Sequence, residues 1–408
     1  MPSKIHYRWY ILILAALTNA LVIAAPSMCL SVLFDEISDD LGLSTFQVGI
    51  IWGIGALPAI ISMLLGGVIG DQIGPKRLLT VVCVLAGSIG ALRGLAPGFI
   101  ALTATILGYS FVATMIPMSA LKTCGLWFPK NQLGLAAGVV SMGMALGFMA
   151  GSMLSATLLS PWLGGWRNVL IFYGLLGMTL SIPWYFSRPA PIPVGQTANP
   201  TGLKSLKTTM SYVVHIRKMW LLGGAILGIG GCIQGVLGYL PLYLRDMGWA
   251  AANADGALTA FHTASMICVI PIALWSDRHG TRRKVLLVAA LMITVGLGLL
   301  SVVDGFMVWG AVILAGMVRD GFMAVFLTMI IETDGVGPAY AGTAIGFVMI
   351  FSGVGNLLAP PLGNSLANIT PGLPFVFWAL MAAGGLFCLT LTTDRQPEPV
   401  VTAAPSTL

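Results

Sequence analysis

Long apolar runs, each ended by a short cluster of charged residues, Gly or Pro, follow one another along the chain from residue 9 onwards. A helix that crosses the hydrocarbon of a bilayer needs about 20 consecutive, mostly apolar residues, and the runs are of that length. They predict helices over 9–33, 46–70, 78–97, 99–128, 134–159 and 167–187, then over 219–244, 255–276, 284–303, 306–331, 341–366 and 373–393. The longest polar stretch, 188–218, lies between the two sets and turns from Pro-, Gly- and Thr-rich to basic. The pattern therefore predicts an all-α membrane protein with 12 transmembrane helices in two pseudo-symmetric bundles. Residues 1–187 and 219–393 are the expected bundles, 188–218 a cytoplasmic linker and 394–408 a disordered cytoplasmic tail. Residues 204–218 fit either a basic helix on the membrane surface or a solvated linker. Ser44 and Gln47 form a capping-box pair ahead of the second run. The first run exceeds the roughly 7–15 apolar residues of a signal-peptide core and reads as an uncleaved span.

Composition agrees with this and removes other classes. The 408 residues are 57% hydrophobic and 8% charged, against about 25% charged in an average soluble domain. A net charge of +6 would suggest nucleic acid in a soluble protein, but here the charges sort by side. Fifteen cations, among them Lys76, Arg77, Arg278, Arg282, Arg283 and Lys284, fall in segments on the side of the N-terminus. Arg93, Arg167 and Arg245 fall near the opposite side, with Asp35, Glu36, Asp39 and Asp40. The positive-inside rule then puts both termini in the cytoplasm, and short loops in a compact chain suggest a bacterial inner membrane. Arg93 reads as an interfacial anchor. The six cysteines, with no C-x-x-C pair, read as small buried hydrophobes.

The two sets of runs repeat each other. Gly67, Asp71, Gly74 and Arg77 lie between the second and third runs, and Asp277, Arg278, Gly280 and Arg283 between the eighth and ninth. Both loops read D-x-x-G-x-[KR]-R, displaced by 206 residues from Asp71 to Asp277. Gly138, Gly147 and Gly151 of the fifth run correspond to Gly346, Gly355 and Ala359 of the eleventh at a displacement of 208. Duplicated halves are an architecture of secondary transporters. With these motifs the chain resembles the major facilitator superfamily along its whole length. The first loop follows that superfamily's G-x-x-x-D-[RK]-x-G-R-[RK] signature, departing at Gln72 and Pro75, and the second has Ala273 for the leading glycine. The eleventh run retains Pro360 and Gly363 of the family's glycine-proline element, whereas the fifth has Ser152 in place of the proline. The resemblance implies that the Asp71 and Asp277 loops act as a conformational latch. Gly143, Gly147, Gly151, Gly355, Pro360 and Gly363 are read as helix-packing positions, since small residues let helices approach in lipid.

Charges inside hydrocarbon are costly and are default candidates for function. Arg319 and Asp320 sit near the middle of the tenth run, which the resemblance places on the central cavity. Arg319 offers a planar fork of donors for an anion. Successive helical residues diverge by about 100°, so Asp320 is expected to face a different neighbour and to carry a proton or hold another helix. His262 reads as a bond to a facing helix or as a titrating group, and Lys122 as a cavity cation or a snorkelling one. Asn19, Tyr109, Thr114 and Gln234 are neutral polar candidates on helices expected to line the cavity. The early part of the fourth run, 103–108, lacks the arginine often found there in the family.

No phosphate-binding G-x-x-x-x-G-K-[ST], HExxH or complete dinucleotide fingerprint occurs. Neither metal nor cofactor is expected, and nothing points to an enzyme. The expected function is secondary transport of a small organic or inorganic anion by alternating access. A proton is the candidate coupling ion, and membrane lipid, not nucleic acid, surrounds the chain. Arg8-Trp9-Tyr10 and the following run also resemble the monocarboxylate and oxalate branch. Proton-coupled export of hydrophobic or cationic compounds and a nontransporting sensor on the same scaffold are the alternatives.

Overall fold

The computed structural model describes residues 2–129, 132–188, 203–279 and 282–392; the side chains of Gly67 and Asp71 lie outside the described set, as do Gly280, residues 189–202 and the tail from 393. Among the described residues every regular element is helical. Helix α1 comprises Pro2–Thr18, a π turn Asn19–Ala24 and Ala25–Leu41, and α2 comprises Thr45–Gly53 and Ala56–Ile73. Then come α3 (Pro75–Leu95), α4 (Phe99–Trp127), α5 (Leu133–Leu163) and α6 (Trp166–Phe186). After the linker stand α7 (Arg217–Asp246), α8 (Ala251–His279), α9 (Arg282–Leu299), α10 (Phe306–Ile331), α11 (Gly337–Ser365) and α12 (Leu373–Thr390). Part of the linker is itself a helix, Leu203–Val214. It rests on the start of α11, where the Tyr212 and Tyr340 rings lie 4.8 Å apart.

Ten helices among the described residues are long and apolar enough to cross a membrane. The expected second and ninth spans are not among them. Helix α2 is broken at Ile54 and Gly55, where Pro58 withdraws the N–H that Ile54 would need and Leu57 bonds that carbonyl at 3.1 Å instead. Helix α9 opens on Arg282, Arg283 and Lys284. Helix α1 also exceeds its expected bounds of 9–33, because polar residues at both ends continue the helix past the apolar run. The capping box forms as expected, with Ser44 and Gln47 bonded reciprocally, and α1 stops at Gly42 with φ 62°.

Packing repeats across the duplication. Gly143, Gly147 and Gly151 lay α5 on the backbone of α1; a Cβ at Gly143 would stand 2.6 Å from the Ala16 carbonyl oxygen. Gly355 makes the matching approach of α11 to the Leu227 carbonyl of α7. Trp378 of α12 covers Gly363 and Gly235 and donates to the Ala359 carbonyl at 2.8 Å.

The first and second halves of the chain meet through α1 with α7, α2 with α11 and α5 with α8. Trp52 Nε1 donates to the Gln234 carbonyl at 2.6 Å, Asn364 Nδ2 to the Thr45 carbonyl at 3.1 Å, and Ser31 to the Leu237 carbonyl. The hydroxyls of Ser152 and Thr259 are 2.9 Å apart, and Arg245 reaches Asp35 at 3.7 Å. Gly49 abuts the backbone of Pro360 and Pro361. All these contacts lie toward the end of the molecule opposite the start of α1 and the end of α12, and they close that end.

Candidate functional site

Midway along α10, Arg319 Nη1 lies 2.8 Å from Asp320 Oδ1. The expectation that the two face different neighbours is corrected: the 100° divergence applies to their Cβ directions, and the long arginine side chain curls back across it. Their side chains remain 24% and 34% exposed, so neither is sealed in the interior. The backbone N–H of Asp320 donates to Ser265 Oγ of α8 at 3.1 Å. The Arg319 guanidinium stands 5.8 Å from the centre of the Phe148 ring of α5. That ring also stacks on His262 of α8 at 5.2 Å. Helices α5, α8 and α10 thus bring Phe148, His262, Ser265, Arg319 and Asp320 to one place where the halves meet. His262 is buried, its Nε2 has no hydrogen-bond partner, and Phe261 meets its ring edge-on.

The other expected site residues lie apart from this cluster. Lys122 is half-buried toward the C-terminal end of α4. Asn19 is buried and bonds the Ala15 carbonyl of its own helix at 2.9 Å. Tyr109 donates to the Val22 carbonyl, which Pro26 leaves without its helical partner. Gln234 takes part through its backbone carbonyl, the acceptor for Trp52. Thr114 bonds Ser62 of α2.

Arg93 is a further correction. In place of an interfacial anchor it is 1% exposed, and its guanidinium covers the Tyr109 ring at 4.1 Å. Nη1 donates to the Pro26 carbonyl at 3.2 Å and Nε to that of Gly90 at 3.3 Å. Helical side chains lean toward the helix N-terminus, so an arginine at the C-terminal end of α3 points inward. Arg245 behaves similarly: both carboxylate oxygens of the fully buried Asp255 accept from it, at 2.8 and 3.0 Å. Phe148, Arg93, Arg245 and Asp255 were not among the expected site residues. For Phe148 no signal in the sequence pointed to the site, and for the rest the signal was a charge within a turn or two of a span's end.

At the end where α1 starts and α12 ends, Arg282 bonds Asp277 and Glu332, the latter at 3.0 Å, tying the start of α9 to the end of α8 and to the residue that follows α10. The Glu332 bond, with the Asp277 bond after it, raises the Arg282 pKa above the ordinary arginine value despite partial burial. Arg283 Nη2 donates to the Thr390 carbonyl of α12 at 2.6 Å. Gly74 turns the chain between α2 and α3 at φ 85°, while Arg77 and Arg278 are exposed. Among the described residues no three His, Cys, Asp or Glu side chains converge as a metal site.

A family model described as Major Facilitator Superfamily matches residues 12–260 and 250–407. A probable sulfoacetate transporter of Cupriavidus necator is 25% identical, over 90% of this chain and 91% of its own. A probable nitrate/nitrite antiporter of Thermus thermophilus is 26% identical, over 97% and 94%. A gallate transporter of Pseudomonas putida is 23% identical, over 92% and 89%. Among solved structures, the nucleoside transporter NupG superposes with a TM-score of 0.74 at 14% identity, covering 94% of this chain and 98% of its own. A bacterial homolog of the human lysosomal transporter Spinster, inward-facing and unoccupied, gives 0.71 at 16% identity, with 94% of each chain covered. These structural likenesses concern the fold.

Proposed function

Because the chain belongs to the Major Facilitator Superfamily, we propose that it carries a small organic or inorganic anion by alternating access and that Arg319 holds the anion. As a member of that superfamily it is a secondary transporter and a multi-pass membrane protein. The observation that carries the reading is the Arg319–Asp320 pair, midway along α10, partly exposed and set against Phe148 of the other half. A guanidinium presents parallel donors that match a carboxylate, sulfonate or nitrate. Sulfoacetate, nitrate, glucarate, gallate and muconate, named for the relatives, are all anions.

In the empty site Asp320 neutralises Arg319. An arriving anion competes with Asp320 for the guanidinium, and a proton on Asp320 restores neutrality. Anion and proton together therefore replace the ion pair at no net change of charge, which makes the proton the coupling ion in this reading. Residues 1–187 and 219–393 act as the two moving bundles, joined by 188–218, in a cell inner membrane with both termini cytoplasmic. The closed end is then extracellular. Opening it breaks Trp52 from Gln234, Ser152 from Thr259 and Arg245 from Asp35, while the Asp71 and Asp277 loops latch the other end.

A thermal-shift panel on the purified protein tests this, because a ligand of the folded state raises its stability. Sulfoacetate, nitrate, glucarate, gallate and cis,cis-muconate are the probes, with neutral xylose as control. At least one anion raises the unfolding midpoint of the wild type and fails to raise that of Arg319→Gln. Stabilisation by no anion, or equal stabilisation of the variant, removes the reading.

A further inference from the structure

The regular ladder of α1 is interrupted by the π turn Asn19–Ala24, and Pro26 follows it. Proline has no N–H to give the Val22 carbonyl, and π turns within α-helices are frequent at functional positions. Side chains take over there. The Tyr109 hydroxyl of α4 donates to the Val22 carbonyl, Ser27 Oγ to that of Ile23 at 2.6 Å, and Arg93 Nη1 of α3 to that of Pro26 at 3.2 Å. The Arg93 guanidinium lies over the Tyr109 ring at 4.1 Å, so these two residues form one unit against α1.

An arginine is a costly choice for this position. Arg93 is 1% exposed, its Nη2 has no hydrogen-bond partner, and none of the ion pairs among the described residues includes it. Apolar residues fill buried positions without that desolvation cost, so packing alone does not account for a cation here. What the charge adds is its hold on a carbonyl, because a hydrogen bond from an ionised donor is roughly twice as strong as a neutral one.

The segments on either side of the π turn have different neighbours. Pro2–Thr18 packs on α4 and α5 of its own half. Ala25–Leu41 carries Ser31 and Asp35, which meet the Leu237 carbonyl and Arg245 of the second half. A change of angle at the π turn therefore moves the contacts between the halves while the first segment stays in place. We propose that Arg93, with Tyr109, is a positioning residue for alternating access: it fixes the angle that lays Ala25–Leu41 against α7, and it releases the Pro26 carbonyl when that end opens. The inference rests on the alternating-access part of the proposed function and not on the anion assigned to Arg319.

The test is the rate of maleimide labelling of Ser31→Cys in an otherwise cysteine-free full chain, read beside the unfolding midpoint. Ser31 is 1% exposed and reacts when the closed end opens. Arg93→Met removes the charge-assisted bond and raises the rate about tenfold or more. Tyr109→Phe keeps the ring under the guanidinium, loses the bond to the Val22 carbonyl and raises the rate by about 2- to 12-fold. Trp52→Phe, which acts on a contact between the halves, is the control. If Trp52→Phe raises the rate and Arg93→Met does not, the end opens without a change in α1 and this inference alone fails. If neither raises it, the alternating-access reading of this end fails and takes the inference with it. A lowered midpoint with unchanged labelling makes Arg93 a structural residue and likewise overturns the proposal. Should Arg93→Met not fold, Tyr109→Phe decides in its place by the same outcomes.

Discussion

Removing Arg245 separates two ion pairs of different worth. Asp255 is fully buried and takes both its hydrogen bonds from Arg245. Arg245→Met leaves that carboxylate in the interior without its cation, a change that costs about 3–5 kcal/mol. Asp35, at 3.7 Å from Arg245 and 42% exposed, forms a pair worth about 0–1 kcal/mol. It also joins the two halves, so its loss acts on the closed-to-open balance more than on the fold. Asp35→Asn therefore leaves the unfolding midpoint nearly unchanged and raises the open population by up to about fivefold. Arg245→Met lowers the midpoint strongly, and adding Asp255→Asn recovers most of the loss by removing the stranded charge. Thermal unfolding in detergent reads the first effect. Maleimide labelling of Ser31→Cys in an otherwise cysteine-free chain reads the second. If Asp35→Asn lowers the midpoint as much as Arg245→Met, or if Asp255→Asn brings no recovery, the division between a fold-holding pair and a gate-holding pair is wrong.

Trp52→Phe keeps the ring and loses the bond to the Gln234 carbonyl, worth about 0.5–1.5 kcal/mol; labelling at the closed end should rise by about 2- to 12-fold, and unchanged labelling would mean the bond does not hold the end shut. Gly147→Val drives a branched side chain into the α1 backbone beside Ala20 and lowers the unfolding midpoint by an overpacking cost of about 1–3 kcal/mol. Gly138→Ala, where a Cβ meets nothing within 4 Å, is the matched control and is neutral or stabilising by up to about 1 kcal/mol from helix propensity. His262→Phe preserves the ring contact with Phe148 while removing an unpartnered buried nitrogen. Its midpoint should hold or rise, and a fall would show that Nε2 has a partner in the folded protein.

What could be read from the sequence was whatever a span's own composition determines. Helix α10 has its expected bounds because Asp304 and Gly305 precede it and Glu332 follows. The duplication was legible from glycines and loop aspartates, and it reappears as matched packing of α5 on α1 and α11 on α7. An apolar run measures the hydrocarbon thickness and not the helix, so α1 ran past its predicted ends. The kinks depend on prolines whose effect falls four residues back, at Val22 and Ile54, where no local signal marks it. Arg93 and Arg245 were read by depth alone, whereas the direction in which a helical side chain leans decides whether a cation near a span's end reaches water or the interior. Phe148 was beyond sequence reasoning, because its role comes from contacts with His262 and Arg319 on helices that only the assembled halves bring to it.

Anion counterflow in proteoliposomes tests the central reading most directly. Vesicles loaded with unlabelled anion, chosen from those that stabilise the protein, are diluted into a trace of the same anion carrying label. The wild type should accumulate label transiently, and faster when the outside is acidified, while Arg319→Gln should not rise above empty vesicles. Accumulation by Arg319→Gln at the wild-type rate, or none by a folded wild-type protein, would contradict the assignment of Arg319 as the group that holds the transported anion.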